Sequence, residues 1–270
     1  MVVQHNMAAS NANRQLGIST NTLSKSTEKL SSGYRINRAA DDAAGLSISE
    51  KMRSQIRGLN KASSNAQDGI SAIQTAEGAL NEAHSILQRM NELATQSAND
   101  TNTTADRTAV QSEVKALTNE LSRIASTSQF NTQNLLDGTF TGKNLQVGAL
   151  ENQKITISIG TMNAKALGVD SLDVKSFTNA GTAMKLIQKA ISKVSGQRSD
   201  LGALQNRLEH TVNNLDNISE NTQTAESRIR DTDMASEMVQ YSATSIIQQA
   251  GQSMLAQANS QTQGVLSLIQ

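Results

Sequence analysis

Apolar residues recur every seven positions over a long central part of the chain. The row consists of Met52, Leu59, Ala66, Ile73, Leu80, Leu87 and Ala94. Further apolar residues lie three or four positions after members of this row, which is the spacing of a helix that packs along a narrow seam. A single helix over residues 52–94 would be about 64 Å long, at roughly 1.5 Å per residue. That length exceeds the core of a globular domain, so the pattern predicts a rod.

Two further helical seams follow the first. The polar run at residues 99–104 predicts a turn with capping residues. The apolar positions over 110–124 should form a helix that folds back antiparallel on the first. A third seam covers 187–229, where Gly196 and Gly202 weaken the helix locally. The predicted helices lie at about 46–99, 105–127 and 180–227.

Between the second and third helices the periodicity changes from helical to alternating. Apolar and polar residues alternate from Ile155 to Ile159, which predicts a strand with one buried face. Leu145 and Val147 form a weaker alternation upstream, and the two strands should pair as a β-hairpin within a region of about 130–178. The expected fold is mainly α: an elongated antiparallel helical bundle or coiled-coil rod with a small β-hairpin region and paired N- and C-terminal helices.

The two ends of the chain carry apolar stripes made largely of small or isolated side chains. The N-terminal stripe repeats every seven residues as Leu16, Leu23 and Leu30. The C-terminal stripe is Val239, Ala243, Ile247, Ala250, Met254 and Ala258, continued by Val265 and Ile269. Apolar burial contributes about 25 cal/mol per Å², against roughly 1–2 kcal/mol of backbone entropy per residue. We therefore expect both ends to be disordered in the isolated monomer and to fold against partners.

Composition excludes several classes of protein. The 270 residues contain no cysteine, proline or tryptophan, and 24 basic side chains balance 24 acidic ones. The lack of cysteine excludes disulfides, thiol catalysis and thiolate metal sites, and zero net charge argues against nucleic-acid binding. No stretch approaches the roughly 20 apolar residues that membrane insertion needs. We also expect no conventional secretory signal, and the absence of proline favours uninterrupted helices.

The residues that could carry catalysis form no constellation. The three histidines, His5, His84 and His210, are far apart in sequence, and no phosphate-loop or zinc-protease motif is present. Asp41 and Asp42 are adjacent, and adjacent helical residues point about 100° apart, so they would not converge on one ion. Their nearest cations are Arg35 and Arg38, and we expect ion pairs that either join subunits or stabilise this joint. Neither an enzymatic activity nor a metal or cofactor is predicted.

Several longer motifs at both ends of the chain resemble bacterial flagellin. On the N-terminal side they are the segments 30–37 (LSSGYRIN), 41–45 (DDAAG), 65–71 (NAQDGIS) and 75–80 (TAEGAL). On the C-terminal side they are 249–251 (QAG), 255–259 (LAQAN) and 265–269 (VLSLI). The match runs through roughly 1–145 and 185–270, which resembles a short flagellin without the outer variable domains. The resemblance implies an inner-core domain from residues 1–42 and 228–270, with a rod domain at 43–227 between them.

The resemblance also implies a structural subunit that polymerises into the extracellular flagellar filament used for swimming. It implies self-association, an export chaperone and export apparatus, a cap protein and hook-associated junction proteins as partners. The residues expected to act in polymerisation are Leu16, Leu23, Leu30, Arg35, Asp41, Asp42, Ile247, Ala250, Met254, Val265, Leu266, Leu268 and Ile269.

Flagellins of this type are also ligands of the host's Toll-like receptor 5. The segment 87–94 (LQRMNELA) resembles the family's receptor-contact segment. The resemblance implies contact residues at Gln88, Arg89 and Leu93, and at Glu113 on the following helix. Arg89 and Leu93 are separated by four residues, so they share one helix face.

Two other functions share parts of this pattern. A hook–filament junction protein has terminal segments of the same kind but usually less similarity in the rod motifs. Its low copy number in sheared filaments would distinguish it. A secreted coiled-coil adhesin or surface enzyme would stay unpolymerised.

Overall fold

The computed structural model describes residues 6–269, without the side chains at 262, 263 and 265–269. The elements in chain order are α1 (Met7–Ser32), α2 (Ala43–Ser97), α3 (Thr104–Thr127), β1 (Gln129–Phe130), β2 (Gln133–Asn134), β3 (Lys143–Gln146), β4 (Lys154–Ile157), α4 (Ala164–Leu167), α5 (Phe177–Arg230) and α6 (Met234–Ile269). His5 and the side chains of Val265, Leu266, Leu268 and Ile269 lie outside the described residues. The fold is mainly α, as predicted.

The chain divides into two compact units. The terminal unit comprises the chain up to Ile56 and the chain from Glu220 onward, and the central unit comprises Arg57–Ser219. The helices α2 and α5 each contribute to both units.

Three long helices build the core of the central unit. Helices α2 and α5 run antiparallel: Ser219 Oγ donates to Asn60 Oδ1 near one end of the unit, and Thr95 lies against Met184 near the other. Helix α3 packs beside them, and the apolar seams of all three meet in one cluster of buried side chains. The seam predicted from the heptad row is therefore the wall of a three-helix core.

The turn between α2 and α3 is built as its polar residues predict. Helix α2 ends at Ser97, and Thr103 is the N-cap of α3. The Thr103 side chain accepts a hydrogen bond from the Asp106 N–H, while the Asp106 carboxylate accepts from the Thr103 N–H. This reciprocal capping box satisfies two N–H groups that the first turn of the helix leaves free.

The predicted β-hairpin is confirmed, and it is not the only β element. Strands β3 and β4 pair antiparallel, with Leu145 opposite Ile155. A smaller two-stranded pair, β1–β2, precedes it, and its turn residues Asn131 and Thr132 both have positive φ. The apolar sides of the larger hairpin, including Ile157, pack onto the helical cluster. The alternation of isoleucines signalled β4, whereas the two-residue strands carry no periodicity that a sequence pattern could reveal.

Helix α5 is longer than the seam predicts. It begins at Phe177 and continues through Gly196 and Gly202 without a break. Val194 and Leu201 beside these glycines are fully buried, so packing on the core compensates for the low helix propensity of glycine.

Candidate functional site

The two terminal helices pair antiparallel within the terminal unit. At one end, Asn6 Nδ2 donates to the Ala258 carbonyl at 2.8 Å. At the other, Lys29 Nζ lies 3.6 Å from Glu237 Oε2. The pairing of the N- and C-terminal helices expected from the stripes is confirmed.

The interior of this pair contains little apolar surface. The most buried positions on the two helices hold the hydroxyl side chains of Ser19, Ser26 and Thr244. The heptad leucines Leu16, Leu23 and Leu30 are only half-buried. Because stabilisation by burial scales with the apolar area removed from water, this helix pair is weakly held as a single copy.

Four of the larger apolar residues of α6 lie together on one exposed face of the helix. The exposed members of this face, here called the outer stripe, are Val239, Ala243, Ile246, Ile247, Ala250 and Met254. At 100° per residue they fall within an arc of about 100°, whose midpoint lies about 110° around the helix from the buried Thr244. Its four larger side chains are each more than half exposed. Five residues of the stripe predicted at the C-terminus, namely Val239, Ala243, Ile247, Ala250 and Met254, are thus exposed and available to another molecule. Ala258, predicted with them, is half-buried, and its carbonyl accepts from Asn6.

A short backbone pairing joins the segments that lead into the terminal helices. Tyr34 and Asp231 form an antiparallel bridge. The Arg35 N–H donates to the Arg230 carbonyl at 2.7 Å, and the Thr232 N–H donates to the Gly33 carbonyl at 3.0 Å. The two joints recognised in the sequence therefore meet in space and bring the chain ends together.

The Arg230 side chain adds to this pairing. Its guanidinium lies 4.6 Å from the centre of the Tyr34 ring, and its Nη1 is 2.9 Å from Glu50 Oε1. Such a cation–π contact stabilises by about 0.5–1 kcal/mol at exposed sites and more where water is excluded. Ile36 beside it is buried. We call Tyr34, Glu50 and Arg230 the joint cluster.

The acidic pair expected to bind Arg35 and Arg38 has other partners. Asp41 Oδ2 accepts from the N–H groups of Arg38, at 2.9 Å, and Asn37, and these bonds hold the pKa of Asp41 below its ordinary value. Asp42 Oδ1 accepts from the Gly45 N–H at 2.9 Å, in the first turn of α2. The expectation of ion pairs is wrong within one chain, because unpaired N–H groups next to a carboxylate in a turn satisfy it first.

The two arginines also bond elsewhere. Arg35 Nη2 donates to the Ile229 carbonyl at 2.5 Å, and Arg38 Nε donates to Glu28 Oε1 at 2.9 Å. Both interactions belong to the terminal unit, so these arginines support its local geometry.

The segment 87–94 presents a charged surface with its neighbour α3. Arg89 Nη2 lies 3.0 Å from Glu113 Oε1, and Arg89 Nη1 lies 3.2 Å from Glu92 Oε2. The hydrogen bond to Glu113, followed by that to Glu92, raises the pKa of Arg89 above its ordinary value. Gln88 is also exposed and lies 3.0 Å from His84 Nε2. The structure thus joins two of the four residues predicted to contact a receptor, Arg89 and Glu113, and leaves Gln88 exposed on the same helix as Arg89.

Leu93 does not share that surface. Its side chain is 1% exposed and belongs to the central core, so the predicted apolar contact beside Arg89 is wrong for this conformation. Side chains four positions apart on a helix point in directions that differ by about 40°. The edge of the core therefore falls between Leu93, which is inside it, and Arg89, which is outside.

The histidine and acidic side chains of residues 6–261 and 264 form no metal site. No group of three histidine or acidic side chains is arranged to hold a metal ion there. Helix by helix, the described chain also has no segment that is both long and apolar enough to cross a membrane. His84 is half-buried and His210 is exposed, and the two are on different long helices.

Comparison with known proteins decides the family. Residues 3–141 match the model of the bacterial flagellin N-terminal helical region, and residues 184–269 match that of the C-terminal helical region. The chain belongs to the bacterial flagellin family. Flagellins are structural filament proteins, and accordingly this chain is not an enzyme.

Relatives of similar length cover the flagellin chain completely. It is 56% identical over 271 residues to a flagellin of Halalkalibacterium halodurans, with all of both chains covered. It is 50% identical over 286 residues to the flagellar filament 31.3 kDa core protein of Treponema maltophilum, again with full coverage. These lengths confirm the short form without outer variable domains.

Solved structures agree with the flagellin assignment. The crystal structure of Bacillus cereus flagellin matches with a TM-score of 0.50 and 32% identity, over 56% of this chain and 88% of that one. A putative flagellar hook-associated protein from Vibrio parahaemolyticus matches with a TM-score of 0.60 over 71% of this chain and all of that one. Its identity of 13% means that this second likeness shows the fold alone.

The joint cluster is the part of this flagellin that sequence reasoning missed. Tyr34 and Arg230 are 196 positions apart, so no local pattern links them. A signal was nevertheless present, because Tyr34 is one of only two tyrosines in the chain and stands inside a joint. An aromatic residue in a charged segment of an aromatic-poor protein suggests a specific contact.

Proposed function

We propose that this chain polymerises through its terminal helices into the flagellar filament and so serves bacterial swimming. The observation that carries the proposal is the outer stripe of α6, an apolar helix face that no other described residue of the chain covers. The name of the Treponema relative, a filament core protein, supports the choice of a second copy as its occupant.

Burial of the outer stripe between copies supplies the stabilisation that the terminal unit lacks by itself. Its apolar side chains leave water when α6 packs against helices of neighbouring subunits, and each large aliphatic side chain then contributes about 1.5–3 kcal/mol. The half-buried leucines of α1 complete the same contact. Assembly and folding of the terminal helices are therefore one coupled process.

The proposal also includes an extracellular location and the partner proteins that would export and assemble the chain. An apolar stripe must be shielded before assembly, which supports a cytoplasmic export chaperone on the C-terminal segment. The flagellar export apparatus, the cap protein and the hook-associated junction proteins would then handle the chain in turn.

Polymerisation of purified protein tests the proposal. Substitution Ile247→Asp places a charge in the outer stripe, and we expect it to raise the critical concentration for filament formation at least about tenfold. Leu150→Asp is the matched control, because Leu150 is also more than half exposed but lies in the hairpin loop of the central unit. Deletion of residues 236–270 should abolish filaments. Filaments from the deletion variant, or equal effects of the two substitutions, would contradict the proposal.

The exposed Arg89–Glu113 ion pair favours a second function, binding to Toll-like receptor 5. Arg89 and Glu113 come from different helices and present a fixed pair of charges on an accessible surface, and Gln88 adds an amide beside them. In this proposal Gln88, Arg89 and Glu113 contact the receptor, and Leu93 maintains the helix position from within the core.

Receptor pull-down with purified monomer tests this second function. Arg89→Ala and Glu113→Ala should each weaken binding several-fold, because each removes one charge of the contact. Arg123→Ala is the matched control, since Arg123 forms an exposed ion pair with Glu120 on the same α3. Unchanged binding of both variants would refute the proposed contact.

The abundance of the chain distinguishes the filament subunit from the remaining alternative. A hook–filament junction protein would be present in a few copies per flagellum, and its fold resembles this one. Quantitative mass spectrometry of sheared filaments should find this chain as a main component.

A further inference from the structure

The methionines of the chain differ sharply in exposure. Among the described residues, the methionines at the surface are Met7 at 75%, Met234 at 49%, Met238 at 55% and Met254 at 65%. All four belong to the terminal unit, whereas Met90 and Met162 of the central unit are buried. A thioether at the surface is open to oxidants in solution, and a buried one is shielded.

Met254 differs from the other exposed methionines in its position. It lies on the outer stripe together with Ile247 and Ala250, whereas Met234 and Met238 lie on another side of α6. The neighbours on the stripe are aliphatic side chains that peroxides do not attack under mild conditions. Met254 is therefore the one described residue of the stripe whose polarity an oxidant can change.

From this position we propose that Met254 is an oxidation site that controls self-association. A hydroperoxide transfers its distal oxygen to Met254 Sδ: the S–O bond forms as the O–O bond breaks, and sulfur loses two electrons. The departing oxygen takes up a proton, so hydrogen peroxide leaves as water. The product is methionine sulfoxide, which is polar and a strong hydrogen-bond acceptor.

The sulfoxide opposes assembly for the same reason that the thioether supports it. Burying a polar oxygen in an apolar contact without a hydrogen-bond partner is unfavourable. Oxidation of Met254 affects a subunit only before assembly, because the outer stripe of an assembled subunit is covered. Free subunits are thus sensitive to oxidant, and packed subunits are protected. This inference rests on the proposed polymerisation through the outer stripe.

Peroxide treatment of purified full-length monomer tests the inference. Peptide mass spectrometry should show oxygen added to Met254 much faster than to Met90, and treatment should raise the critical concentration for polymerisation at least about tenfold. Met254→Leu, which conserves volume without sulfur, should polymerise after the same treatment. The triple variant Met7→Leu, Met234→Leu, Met238→Leu retains Met254 as the only one of the four exposed methionines. After peroxide treatment it should lose assembly, as the unchanged chain does. Methionine sulfoxide reductase with a thiol reductant should restore assembly.

The outcomes separate this inference from the proposed function. If the triple variant carries sulfoxide at Met254 and still polymerises normally, or if treated Met254→Leu is as impaired as the treated unchanged chain, the inference is overturned. If untreated protein fails to polymerise, or if Ile247→Asp leaves polymerisation unchanged, the proposed function itself fails.

Discussion

The central and terminal units are both helical, but they place their apolar side chains in opposite ways. Every buried hydrophobic residue of the described chain except Ile36 lies between residues 59 and 215, in the central unit. The exposed large hydrophobics concentrate in the terminal unit, on α1 and α6 above all. The central unit has its own core, while the terminal unit presents apolar surface to other molecules.

This difference shows how one chain separates folding from assembly. Leu80, Leu87 and Met90 of α2 pack against helices of the same molecule, so their burial stabilises the monomer. Ile247 and Met254 gain nothing comparable within one chain. A subunit built in this way folds its central part alone and completes its ends only next to its neighbours.

The largest expected effect is a difference in amide protection between the two units. Amides of α2 and α5 within residues 57–219 should open only by global unfolding, which typically requires about 5–15 kcal/mol. Amides of α1 and α6 should exchange with little protection in the monomer. Hydrogen exchange with mass spectrometry on soluble monomer measures both, and strong protection across 7–32 or 236–261 would break the comparison.

A pair of leucine substitutions should separate the units next. Leu87→Ala empties a fully buried position of the central core, so we expect it to lower the free energy of unfolding by about 2–5 kcal/mol. Leu23→Ala, at a half-buried position of α1, should lower it by less than about 1 kcal/mol in the monomer. Urea unfolding followed by circular dichroism gives both values, and similar losses would mean that the terminal unit folds cooperatively with the rest.

The capping box of α3 should have a smaller effect on the central unit. Thr103→Ala removes the side chain that accepts from the Asp106 N–H, and we expect a loss of about 1 kcal/mol in unfolding free energy. Thr108→Ala, at an exposed position in the same helix, is the control for general effects of threonine loss. A Thr103 variant as stable as the control would exclude the capping contribution.

The joint cluster should affect the terminal unit alone. Arg230→Ala removes the contact with the Tyr34 ring, which is worth about 0.5–1 kcal/mol, and exposed Arg228→Ala is the matched control. We expect faster amide exchange at residues 33–36 and 230–232 and no change in global unfolding. A change in the global value instead would show that the joint belongs to the central folding unit.

The smallest effect concerns pH. The Thr103 hydroxyl, followed by the Thr103 N–H, lowers the pKa of Asp106 in the folded state. The stabilisation that ionised Asp106 provides is complete above the pKa of this group in the unfolded state, about 3.9. It is lost as the pH falls through the pKa in the folded state, because between the two pKa values the unfolded state binds more protons. The stability difference between unchanged protein and Thr103→Ala should therefore shrink from pH 7 to pH 3 in urea unfolding. A constant difference would contradict the assigned cause.

Asp41 provides the contrasting case in the terminal unit. Its pKa is lowered in the same direction, by the N–H groups of Arg38 and Asn37. Since the terminal unit contributes little to global unfolding of the monomer, Asp41→Asn should leave the pH dependence of urea unfolding unchanged.

Much of the fold followed from the order of residues alone. The heptad row from Met52 predicted α2 within a few residues of its bounds, because an apolar period of seven residues matches two turns of a helix and does not match the two-residue period of a strand. The isoleucines at alternate positions predicted β4 and its hairpin for the same kind of reason. The turn at residues 99–104 and the pairing of the terminal helices also followed, the first from capping residues and the second from matching stripes.

The candidate site was only partly predictable. Five of the six residues of the outer stripe were predicted, and Ile246 was not. Whether the stripe faced α1 or solvent depends on how the two helices rotate against each other. The partners of Asp41 and Asp42 depend on which backbone N–H groups a turn leaves free. Tyr34 and Arg230 meet only because the two joints run side by side.

The sequence by itself determined the helices, the hairpin and the flagellin family, because periodicity and long motifs are written directly in the order of residues. Only the tertiary structure decided that Leu93 is internal while Arg89 is exposed, and that the outer stripe of α6 is exposed among the residues that the structure describes. The physical reason is that burial is a property of packing: a 40° turn of one helix moves a side chain across the edge of a core without any change in the pattern that encodes it.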